Sequence, residues 1–126
     1  LNNYAYYLSV ENKELDKAAQ RSYKTIKAEP RNASYLDTYA WILFRQERYA
    51  EAKIYIDQAL ANDTVAHSQP SAVVLEHAGD IYVQNGLTAQ AVAFWQQALQ
   101  AGGGSAQLPK KIQLQKYIAD DDKNNP

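Results

Sequence analysis

The chain has 126 residues, enough for one domain with its own core and too few for two independent ones. Lys and Arg number 13 against 14 acids, a net charge of -1, so no electrostatic excess argues for nucleic acid or an anionic membrane as partner. There is no cysteine, which excludes disulfides, thiolate metal sites and a Cys nucleophile while fitting any redox compartment.

Taken in order, the chain opens inside a helical pattern, LNNYAYYL, without an initiator Met, and reads as an excised piece of a longer protein. Localisation therefore stays open. Apolar periodicity predicts helices over about 1–10, 14–28, 33–46, 49–62, 71–85 and 88–101. Pro30 and the Asn85-Gly86 pair are the clearest stops. The stretch 63–71 contains Pro70 and reads as a surface loop. After the GGGS linker at 102–105, LPKKIQLQKYI predicts a short seventh helix within 108–118, with Pro109 in its first turn. Leu108, Ile112, Leu114, Tyr117 and Ile118 would cover what precedes it, and Lys110, Lys111 and Lys116 would keep its outer face wet. The acidic tail 119–126 should fray, and no apolar run is long enough to span a bilayer.

The pattern repeats. Leu1, Tyr4, Ala5, Leu8 is echoed by Leu36, Tyr39, Ala40, Leu43 and by Leu75, Ala78, Gly79, Tyr82. The second-helix alanines Ala18, Ala52 and Ala91 follow at intervals of 34 and 39 residues. These features resemble three tetratricopeptide repeats (TPR), whose pattern is W-x2-L-G-x2-Y, then A-x3-F, then P in 34 residues. The third copy matches best, with Ala78-Gly79, Tyr82 and Ala91-x3-Trp95 in the family positions. Departures fall at turns: no copy has the first Trp, the closing Pro survives only as Pro30, the first copy has one extra residue in VENKE, and five residues are inserted within 63–71.

The resemblance implies an all-α solenoid, a right-handed superhelix of three helical hairpins at about 1–32, 33–66 and 72–105, with a capping helix at about 108–118. The wording LDTYAWILFRQ and LEHAGDIY is similar to repeats of bacterial TPR proteins, many of them exported or lipid-anchored. The small residues have a mechanical role, since Ala5, Ala40 and Gly79 lie where the second helix of each repeat crosses, with Ala18, Ala52 and Ala91 as their counterparts. With no capping repeat ahead of the first helix, self-association through the N-terminal end is expected.

The search for chemistry yields little. Glu76 and Asp80 share a helix face, but His77 points about 100° away from Glu76, so a metal is not expected. There is no G-x-S-x-G turn and no glycine-rich phosphate loop, and Asp120 to Asp122 read as solvated tail. No cofactor is implied and an enzyme is the distant alternative.

The family's concave face is the better candidate. Carried over by position, Tyr6, Asp37, Thr38, Trp41, Phe44, Arg45, Glu76, His77 and Asp80 would line a groove for a peptide or partner helix. Trp and Tyr beside polar groups have the character of binding hot spots. The alternative is a structural spacer or oligomerisation segment of a longer array, in which Trp41 and Phe44 pack internally. A clamp for a chaperone's C-terminal carboxylate is rejected, because the places that need basic groups hold Asn2, Tyr6, Thr38, Val73 and His77.

Overall fold

The computed structural model describes the backbone of residues 3–120 and the side chains of residues 11–65 and 68–120. The helices are α1 (Asn3–Ala28), α2 (Ala33–Arg45), α3 (Tyr49–His67), α4 (Ala72–Gln84), α5 (Thr88–Gln100) and α6 (Leu108–Leu114), with no strand among the described residues. None of these helices is long and apolar enough to cross a membrane.

Local chemistry sets several of the boundaries. Asn32 caps α2 by accepting the Tyr35 N–H at 3.1 Å, and Ser71 caps α4 by accepting the Val74 N–H at 3.4 Å. Between α2 and α3, and again between α4 and α5, the chain reverses in three residues. Both turns place their middle residue in the left-handed region, Glu47 at φ 62° and Gly86 at φ 79°. Gly86 takes that backbone without steric cost. Asn85 reinforces its turn, donating from Nδ2 to the Tyr49 carbonyl at 3.0 Å and the Ile81 carbonyl at 2.9 Å.

The two hairpins, α2–α3 and α4–α5, stack through α3 on α4, and the fold is an all-α helical-repeat solenoid. Of the expected small residues, Ala40, Ala52 and Ala91 are wholly buried, as are Ala78 and Ala98, beside Leu43, Ile56 and Ile81. At Gly79 the approach is closer than a methyl allows, because a Cβ built there would overlap the Trp95 indole.

Three features differ from the sequence reading. The expected helices at 1–10 and 14–28 are one helix, α1. Its middle, VENKEL, has no Gly or Pro and is rich in helix formers, so nothing local stops it. Along it Ala19 is buried while Ala18 is only half-buried; the side chain of Ala5 lies outside the described residues. Second, α3 runs to His67, so most of the expected 63–71 loop is an extra turn of helix, and only 68–71 connect it to α4. There the buried Asp63 accepts the Ser71 N–H at 2.8 Å. Third, α6 stops at Leu114, with Gln115 at φ 57°, and its Lys111 is buried instead of solvated. Leu108 and Ile112 do cover the end of the stack, packing on Leu75, Ala91, Trp95 and Ala98.

Gly79→Leu should destabilise the fold by about 1–3 kcal/mol through overpacking against Trp95. Urea unfolding checks this, with a lower midpoint at unchanged slope as the expected result.

Candidate functional site

In α2 the positions of Asp37, Trp41 and Phe44 recur at helical spacing, and in α4 those of Val73, Glu76, His77 and Asp80 do the same. Folding brings these two faces together. Trp41 lies between two rings, stacked on Phe44 at 4.6 Å and 13° and on His77 at 4.1 Å and 17°. His77 Nδ1 is 2.8 Å from Oδ1 of the buried Asp37, so the same side chain that stacks on α2 also hydrogen-bonds to it. Of the other expected groove residues, Thr38 is exposed and donates back to the Ser34 carbonyl at 3.0 Å, and Arg45 is exposed at the end of α2. The side chain of Tyr6 lies outside the described residues.

Glu76 and Asp80 point from α4 toward α6 and are engaged there. Lys111 Nζ lies 2.7 Å from Glu76 Oε2 and 2.9 Å from Asp80 Oδ1. Ser105, in the linker ahead of α6, donates its N–H to Glu76 Oε1 at 2.7 Å and its hydroxyl to Oε2 at 2.5 Å. Asp80 Oδ1 also accepts the Trp95 indole N–H at 3.1 Å. The three charged side chains are only 4%, 8% and 2% exposed, so their mutual attraction acts with little solvent screening. Burial pushes the Asp80 carboxyl up to about 6 against the pull of Lys111. Burial acts the same way on Glu76, yet the hydrogen bonds from Lys111 and Ser105 prevail and hold it below its ordinary value. On Lys111 burial opposes the charge, and Asp80 and Glu76 together raise its pKa nonetheless.

Beyond α6 the chain returns over the α2–α4 face. Tyr117 sits edge-on to Phe44 at 5.0 Å and to Trp41 at 6.4 Å, and Lys111 Nζ lies 5.2 Å from its ring centroid. What is left open is a cleft of about 250 Å³ bounded by Trp41, Val73, His77, Tyr117, Ile118 and Asp120. That is below the roughly 300–1,000 Å³ typical of small-molecule sites.

The sequence reading thus placed Asp37, Trp41, Phe44, Glu76, His77 and Asp80 in one region, and the structure brings them together. It missed Ser105, Lys111, Tyr117 and Trp95 as their partners. One signal was available, since Lys111 falls on the same stripe of LPKKIQL as Leu108 and Ile112, the stripe that packs inward.

No protein-family model and no curated protein matches this sequence. Among solved structures, the N-terminal domain of stress-induced protein-1 (STI-1) from C. elegans is similar over 91% of this chain and 88% of its own, with a TM-score of 0.65 and 21% identity. The likeness is one of fold.

Lys111→Met should cost about 3–5 kcal/mol, because it leaves two buried carboxylates without their cation; chemical denaturation measures it. Asp80 sets a separate pH dependence. Its pKa is higher folded than unfolded, so its contribution to stability is present at acid pH and is lost as pH rises from 3.8 through about 6. Asp80→Asn should remove that slope, which unfolding free energies of the two proteins across the window would reveal.

Proposed function

We propose that the chain is a non-catalytic interaction module of tetratricopeptide type that receives a peptide or partner helix on the face built by α2 and α4. The observation that carries the reading is that this face already accommodates a polypeptide segment, the chain's own, with Tyr117 seated against Phe44 and Trp41. The cleft continues past Tyr117 to Val73, which is 56% exposed and offers an apolar wall with a ring, Trp41, beside it. Aromatic and aliphatic groups around a partly open cleft are the usual anchors of peptide-in-groove recognition. Catalysis is disfavoured by the engagement of Glu76 and Asp80 with Lys111, Ser105 and Trp95, which occupies the carboxylates a general acid or base would need. A partner's terminal carboxylate is an unsuitable ligand, since Thr38 and Val73 offer it no charge and His77 faces Asp37.

A second reading, a structural segment of a longer array, is favoured by the Phe44–Trp41–His77 stack, which joins α2 to α4 as packing residues do. Panning a displayed library of short peptides separates the two. The binding reading expects enrichment on the wild type, stronger enrichment on Tyr117→Ala, where the chain's own ring is withdrawn, and loss on Val73→Glu with its thermal melt unchanged. Failure to enrich any sequence on either the wild type or Tyr117→Ala overturns it in favour of the segment reading.

A further inference from the structure

Two parts of the C-terminal region are attached to the stack in different ways. α6 is fixed by the buried Leu108 and by Lys111, which meets Glu76 at 2.7 Å and Asp80 at 2.9 Å. The segment 116–120 that follows has no regular secondary structure, and among the described residues no hydrogen bond or ion pair joins it to α2 or α4. It rests on that face through side chains alone, with Tyr117 against Phe44 and Trp41 and Ile118 at the wall of the cleft. Both are half-buried, while Lys116, Ala119 and Asp120 are exposed. Lifting the segment would strand no hydrogen-bonding group on α2 or α4, and such stranding is the costly part of breaking most buried contacts.

The joint between the two parts is Gln115, at φ 57°. A glutamine in the left-handed region is strained, and a segment swung away from the face no longer requires that turn. Such a swing would uncover the sides of Trp41 and Phe44 that Tyr117 now meets, next to the cleft that Val73 and His77 also line. The seat is chemically selective. Tyr117 stands edge-on to both rings, at 78° to Phe44 and 67° to Trp41, and Lys111 Nζ lies 5.2 Å from its centroid. Ring edges and a cation around one position favour an aromatic side chain over an aliphatic one.

We propose that residues 116–120 are a displaceable occupant of the site that the partner uses. The partner is a non-helical peptide segment with an aromatic residue followed by an aliphatic one, and it binds by taking the places of Tyr117 and Ile118 while α6 stays docked through Lys111. The exchange presupposes that the α2–α4 face binds peptides, as proposed above, and adds to it the partner's chemistry and the means by which the face opens. Tethered beside its seat, the chain's own segment competes at an effective concentration on the order of millimolar. A free peptide therefore meets a face that is mostly closed, and its apparent affinity is lowered by the fraction of chains that are open.

The probe is a fluorescein-labelled peptide LQKYIADD, the sequence of residues 114–121, whose binding to the full 126-residue chain is followed by anisotropy. It is titrated with the wild type, with Tyr117→Ala combined with Ile118→Ala, and with Gln115→Pro. Proline cannot adopt φ 57°, so this last variant redirects the segment with its own side chains intact. With the helical circular dichroism of both variants unchanged, each should bind the peptide about tenfold or more tightly than the wild type does. A peptide with alanine in place of its tyrosine should not bind. Equal affinity for all three proteins overturns the exchange. No binding to any of them, when peptides selected by panning do bind, overturns the partner chemistry and leaves the groove reading standing; failure of the panning as well overturns both.

Discussion

The approach of α5 to α4 at Gly79 governs much of what lies downstream. With no Cβ at that position, the Trp95 indole comes close enough to α4 for its N–H to reach Asp80 at 3.1 Å. Asp80 thus becomes a buried carboxylate, and a buried carboxylate is stable only with a cation and further hydrogen bonds. Lys111 supplies the cation to both Asp80 and Glu76, and this fixes α6. With α6 fixed, the chain leaves it directed across the α2–α4 face, where Tyr117 meets Phe44 and Trp41. A contact made by a missing methyl group is thereby connected to the shape of the cleft.

In the same region one side chain serves several contacts at once. His77 stacks on Trp41 and hydrogen-bonds Asp37, so it both joins neighbouring repeats and lines the cleft. Phe44 is buried and has passed to the packing side, whereas Val73 remains exposed and free to meet another surface. A buried polar cluster such as Glu76, Asp80 and Lys111 adds little net stability over well-packed apolar residues of the same volume, but losing one member is costly, and this cluster ties α6 to α4.

The first repeat shows the reverse situation. In α4–α5 the turn is written locally, by Asn85 and Gly86. In α2–α3 it is not, since Glu47 adopts φ 62° without being glycine, and packing of the two apolar faces is what imposes it. The VENKEL stretch of α1 has no local breaker, and the helix runs on. The repeat pattern in the sequence and the backbone conformation therefore part company there.

By itself the sequence determined the helical class, the two inner hairpins and the small residues at their crossings, because these follow from spacing along one chain: Ala40, Ala52, Gly79 and Ala91 are legible as soon as the period is found. It also marked Asp37, Trp41, Phe44, Glu76, His77 and Asp80 as belonging to one face. Tertiary structure alone decided what those side chains do. Glu76 and Asp80 meet Lys111 across 35 and 31 residues, and Trp41 meets His77 and Tyr117 across 36 and 76, none of which a local period can encode. It likewise decided that Lys111 is buried and that α1 is unbroken, since burial and helix continuation depend on what lies opposite, and a linear pattern does not carry that information.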